Sequence, residues 1–177
     1  MEVYRMKSEK GTKVQSTKGK QYNYKLIGII SAVIILVITV LMLVETDGGF
    51  LIINNNSDVK IEYVKAYFVN VEGPFTEELK VENLEPSKKQ NLFYDQIDLY
   101  PQQANLEIKF KLENQEEMFV DAGYFNDVLK GNINVSFDQK DDNNITLSVQ
   151  AKNGILPSST IVCDEEFNIY LDEGYVD

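Results

Sequence analysis

Leu106-Glu107-Ile108-Lys109-Phe110-Lys111-Leu112-Glu113 alternates strictly, large apolar against charged. A repeat of two is that of a β-strand, whose successive side chains point to opposite faces. The stretch therefore reads as a strand with one buried and one solvated face. One such strand cannot bury its apolar face alone, so it needs neighbours.

The flanking sequence supplies them. Phe50-Leu51-Ile52-Ile53 reads as a first strand and Asn54 to Asp58 as a turn. Val59, Ile61 and Tyr63 alternate, and the apolar positions then shift to Val64, Ala66 and Phe68. A change of phase inside one strand predicts a β-bulge or a crossing between sheets. Gly73-Pro74 ends that segment, Leu79 and Val81 mark a short strand, and Asn91 to Leu99 is extended up to Tyr100-Pro101. Beyond the opening stretch comes Met118-Phe119-Val120. Residues 126–130 read as one helical turn, with Asn126 as N-cap and Gly131 as its left-handed stop. Ile133, Val135 and Phe137, then Ile145, Leu147, Val149 and Ala151, alternate on either side of a polar loop, as in a hairpin. Thr160 to Cys163 and Phe167 to Leu171 supply final strands or an ordered tail. About seven to nine strands with almost no helix predict an all-β domain. The expected form is an antiparallel β-sandwich, Ig-like in general architecture, with a small β-barrel as the alternative.

That domain is preceded by Leu26 to Val44, LIGIISAVIILVITVLMLV, 19 residues without a charge. As a helix the run would reach about 28 Å, close to the ~30 Å hydrocarbon core of a bilayer. A helix also pairs its own backbone polar groups, as lipid requires. A single transmembrane helix is expected. The run exceeds the ~7–15 residues of a signal-peptide core, and Thr46-Asp47-Gly48 is a poor cleavage site, so a retained anchor is expected. No cysteine lies near its end to carry a lipid. Seven Lys and Arg precede it against Glu2 and Glu9, and the next basic residue is Lys60. That bias places the N-terminus in the cytoplasm. The expected division is a disordered basic tail over 1–25, the transmembrane helix over 26–44, and an extracytoplasmic domain over 45–177.

Of the 17 basic and 28 acidic residues in the chain, ten and twenty-six fall after the apolar run, so the outer portion carries −16. Such a surface repels nucleic acid and anionic polymers. With one cysteine and no histidine, the chain has no intrachain disulfide and no imidazole. A disulfide-free outer domain points to a bacterial cell envelope. Without imidazole, Ser-His-Asp and Cys-His catalysis and the usual zinc sites are excluded. Cys163 is expected to be a small buried apolar side chain. The runs Asp164-Glu165-Glu166 and Asp172-Glu173 are read as a solvated acidic tail.

Two groups of polar residues remain as site candidates. Asp138, Asp141 and Asp142 offer hard oxygen ligands for calcium in the loop after Phe137, although Lys140 sits among them. Asp121 lies among apolar neighbours beside Tyr124, and the pair is the candidate for a ligand groove. The structural alternative for Asp121 is an acceptor for nearby turn amides. Asn55, Asn134 and Asn144 each begin an Asn-x-Ser/Thr triplet. No catalytic residue and no cofactor is indicated. The expected function is a membrane-anchored, non-catalytic binding or adaptor module facing a protein or glycan partner outside the cell. A passive subunit of a membrane assembly and a carboxylate-dependent envelope hydrolase are the alternatives.

Overall fold

The computed structural model describes residues 24–43, 47–153 and 158–177. The chain falls into two compact units that meet in sequence between Val44 and Glu45. The first contains helix α1 (Tyr24–Leu43), 20 residues long. Its described side chains, residues 27–39, are all exposed. Among the described residues no helix is long and apolar enough to cross a membrane. The side chains at both ends of the apolar run, and the basic tail up to residue 23, lie outside the described residues.

The second unit is all-β. Its strands are β1 (Gly48–Asn56), β2 (Ile61–Asn70), β3 (Gly73–Pro74), β4 (Leu79–Leu84), β5 (Lys88–Asp95), β6 (Ile97–Asp98) and β7 (Ala104–Leu112). They continue with β8 (Glu117–Phe125), β9 (Val128–Leu129), β10 (Asn132–Gln139), β11 (Asn144–Lys152), β12 (Ile161–Tyr170) and β13 (Tyr175–Val176). One sheet runs β3-β2-β7-β8-β12-β11-β10-β1-β5, with β4 also on β2 and β13 on β12.

Strand β12 explains how this sheet curls. Ile161 and Val162 pair with β8, whereas Cys163 to Tyr170 pair with β11. On the far side β4 pairs with β2 and β5 with β1, and only Glu85-Pro86-Ser87 separates β4 from β5. The two halves therefore bring their apolar faces together. Phe110 of β7 meets Phe137 of β10 edge to face, with centroids 5.3 Å apart. Leu106, Ile108, Phe110 and Leu112 are all fully buried, as their alternation predicts. Each such side chain contributes roughly 1.5–3 kcal/mol by leaving water. The register shift between Ile61 and Tyr63 is the bulge that the phase change predicts, and Val64, Ala66 and Phe68 point inward beyond it.

The β1–β2 connection crosses between the halves and is held by a buried polar knot. Asn55 is fully buried; its amide donates to Val59 O at 2.9 Å and Leu84 O at 3.1 Å. Its Oδ1 accepts from the Ser57 hydroxyl at 2.7 Å and the Ser57 amide at 3.2 Å. Every hydrogen-bonding direction of the side chain is used, so this Asn-x-Ser triplet has no free amide to modify.

Three expectations need correction. First, the sheet is mixed, because β1 and β10 run parallel from Leu51↔Ile133 to Asn56↔Asp138. Parallel neighbours need a long connection rather than a tight turn, and here most of the domain intervenes, so alternation alone does not reveal the pair. Second, residues 126–130 form no helical turn. Val128 pairs with Asp98 and Leu129 with Ile97, and Leu129 is fully buried. The Asn126 Oδ1 caps nothing; it is buried with no partner among the described residues. Gly131 is required by close approach rather than by a left-handed backbone, since a Cβ there would lie 1.5 Å from the Lys152 carbonyl oxygen. Third, Asp164-Glu165-Glu166 is not a tail but the middle of β12, exposed on all three residues. Asp172 and Glu173 occupy the exposed turn that follows.

Candidate functional site

Asp121 and Tyr124 both lie on β8 and both face outward. Asp121 is directly opposite Glu107 across the β7–β8 ladder. Partial burial, and then the Glu107 charge, raise its carboxyl above the ordinary carboxylate range. It serves no turn. Tyr124 is 40% exposed and stands opposite Val162 of β12. Between them Gly123 adopts φ 69°, in a β8 bulge that also gives up its amide to Glu165 Oε1 at 2.8 Å. The two candidates thus share a face but lie in neither of the grooves described below.

A carboxyl raised in this way is ionised at neutral pH against an unfavourable field. Below the ordinary carboxylate pKa both states are protonated and no penalty exists; the penalty grows as pH rises through the native value. Asp121→Asn should therefore raise stability by under about 1 kcal/mol at pH 7 and by nothing at pH 3. Urea unfolding at the two pH values measures the difference.

The rest of this face, over β2, β7 and β8, is a lattice of charge. Tyr63 donates its hydroxyl to Glu117, and that bond above all pushes the phenol up to about 12. Tyr67 donates to Glu107, Lys109 lies 3.5 Å from Glu107, and Lys111 lies 2.9 Å from Glu62. Exposed pairs of this kind are worth little singly and keep the surface wet.

The calcium candidates are not brought together. Asp138 accepts from Asn56 Nδ2 at 2.7 Å and from the Ser136 hydroxyl on the sheet surface. Asp141 accepts from its own loop, from Asn144 Nδ2 at 2.7 Å and the Asn143 amide at 3.0 Å, which holds its carboxyl below the usual range. Asp142 is exposed. Among the described residues no group of three or more His, Cys, Asp or Glu could hold a metal ion.

Cys163 is buried, and burial, then the Glu165 charge, pushes its thiol up to about 12. At pH 8 the thiol is protonated, so a disulfide reagent should fail to label the native chain and should titrate one thiol after denaturation.

The opposite outer face, over β1, β10 and β11, differs in kind. Strand β10 presents Asn132, Asn134, Ser136 and Asp138 outward between the buried Ile133, Val135 and Phe137. By register these meet Lys152, Gln150, Ser148 and Thr146 of β11 on one side. On the other they meet Ile52, Asn54 and Asn56 of β1. Only Asp138 and Lys152 are charged. Among the described residues the side chains of Asn54, Asn134, Thr146 and Ser148 make no hydrogen bond within the protein.

This face ends in an open groove of about 430 Å³ lined by Phe50, Asn132, Asn134, Lys130 and Lys152, with Gly48, Gly49 and Gly131 beneath. Phe50 is 43% exposed and packs edge to face on Phe93, itself 53% exposed, at 5.5 Å. The Phe50 amide donates to Asn132 Oδ1 at 3.1 Å, which fixes that side chain with its amide nitrogen available. A second open groove of about 520 Å³ lies beside the edge strand β5, between Phe93, Tyr94 and Leu79, with Glu77, Asp95 and Asp98 around it.

The sequence did carry the signal of the neutral face. Between the apolar residues of β10 and β11 stand Asn, Ser, Thr and Gln, where the β7 strand has Glu and Lys. No family model, curated protein or solved structure matches the chain.

Proposed function

We propose that the chain is a membrane-anchored, non-catalytic binding or adaptor module that presents its β domain on the outer side of a bacterial envelope. The observation that carries the binding reading is the contrast between its two outer faces. One is a lattice of ion pairs, while the other is nearly uncharged, rich in unpartnered amides and hydroxyls, and ends in a groove with an exposed aromatic wall. Surfaces that combine an aromatic anchor with adaptable small polar groups suit recognition. The uncharged run Leu26 to Val44 supports the anchor. The basic leader supports a cytoplasmic N-terminus. The curled sheet with opposed apolar faces is read as a sandwich, Ig-like in general architecture.

Carbonate extraction and protease protection in spheroplasts test the topology. The full chain should stay in the membrane pellet, and external protease should remove the β domain but spare an N-terminal tag. Release into the carbonate supernatant, or a protected β domain, would overturn the reading.

A further inference from the structure

We infer that the neutral face of β1, β10 and β11 binds an uncharged glycan chain, with one sugar ring seated against Phe50 in the adjoining groove. The inference rests on the binding-module reading above and names its ligand. Charge is the first argument. The outer portion of the chain carries −16, yet the outward residues of β1, β10 and β11 include only Asp138 and Lys152 as charges, with Lys130 at the groove and Asp164 and Glu166 on the neighbouring β12. A polymer of either charge would meet like charge at one margin of this face, the lysines at the groove or the carboxylates of β12, whereas a neutral one is not repelled.

Hydrogen bonding is the second argument. Asn54, Asn134, Thr146 and Ser148 are all free of partners within the protein, among the described residues. Amide and hydroxyl side chains each offer donor and acceptor. A sugar hydroxyl does the same, so a polyol can satisfy such a grid in either sense at each point. Neighbouring strands lie about 4.8 Å apart and outward residues on one strand about 6.7 Å apart, which spreads the grid over several ring substituents.

Shape is the third. The groove of about 430 Å³ falls within the roughly 300–1,000 Å³ of small-ligand sites. The exposed Phe50 ring, braced by Phe93, offers a flat apolar surface to the C–H face of a pyranose. A protein partner is less well served, because protein interfaces centre on a buried apolar patch. Among the described residues of this face the apolar side chains are Ile52 and the Phe pair at one end.

The test uses the full chain in a detergent without a sugar headgroup and isothermal titration with chitohexaose, cellohexaose and, as the anionic control, a galacturonate hexamer. One neutral hexasaccharide should bind with Kd on the order of 0.1 mM, as expected of an open, shallow site. Phe50→Ala, and the pair Asn134→Ala with Ser148→Ala, should each weaken it at least tenfold with unchanged thermal midpoint. Lys65→Ala with Glu117→Ala, on the opposite face, should not. Failure of both neutral probes, preference for the anionic one, or indifference to the face substitutions overturns the glycan assignment. A photo-crosslinker at position 148 separates the two readings. If it captures a protein while the sugars fail, the binding module stands without its glycan; if it captures nothing and the sugars fail, both readings fall.

Discussion

Gly131→Ala is expected to cost the β domain about 3–5 kcal/mol, near the upper end for a single substitution. The methyl group would fall 1.5 Å from the Lys152 carbonyl oxygen and 2.5 Å from its carbonyl carbon. Both are backbone atoms, so no rotamer change can make room. The Lys130 and Gly131 amides both donate to Asn153 Oδ1, at 2.8 and 3.0 Å, and would be pulled from it as the strands parted. The Tyr94 hydroxyl, held on Gly131 O at 2.6 Å, would lose its acceptor geometry as well. A fall in thermal midpoint of roughly 10–20 °C by far-UV circular dichroism should follow. Gly28→Ala in helix α1 is the control. A Cβ there meets nothing within 4 Å, and the midpoint of the β domain should not move.

Asn55→Ala should cost about 3–4 kcal/mol, because the Leu84 carbonyl and the Ser57 amide lose their side-chain partner, and the Val59 carbonyl and Ser57 hydroxyl are left with each other at 3.2 Å. Asn55→Asp separates this from a packing effect. A carboxylate cannot donate to the two carbonyls and repels both, so at pH 7 the variant should be less stable than Asn55→Ala. Burial raises the introduced carboxyl, and its protonated form can donate once. The deficit of the Asp variant should therefore shrink as pH falls below the raised native pKa, while that of the Ala variant stays constant relative to the native chain. Urea midpoints across pH 4–8 decide; equal deficits at all pH values would place the cost in packing alone.

Much of the core was legible. Leu106 to Leu112 alternate because one face is buried and the other wet, and period two needs no tertiary knowledge. The bulge near Ile61 was legible for the same reason, as a broken phase. What escaped depends on contacts between residues far apart in the chain. The turn at 126–130 has a helix-like cap and stop, yet Leu129 is drawn into the core and Gly131 answers to the backbone of Lys152. The acidic run in β12 looked like a tail because Asp and Glu are poor strand formers. In place, Glu165 answers the Gly123 amide and Asp164 accepts from Gln150 at 2.7 Å. Asp121 stood out for its apolar neighbours, but Val120 and Ala122 on either side point to the other face of β8, while Phe119 and Tyr124 stand exposed on its own face. The neutral face was overlooked because each outward Asn or Ser is unremarkable alone, and the pattern exists only after β1, β10 and β11 are aligned.

The parallel pairing of β1 and β10 also bears on load. Strand β1 is the first element after helix α1, and ladders to β10 and β5 flank it on both sides. A pull entering at Gly48 and resisted by something gripping β10 and β11 runs along these strands. It strains the rungs together in shear instead of opening them one by one from an edge. Tension applied along the strands between Gly48 and β10 would therefore load all of these rungs at once.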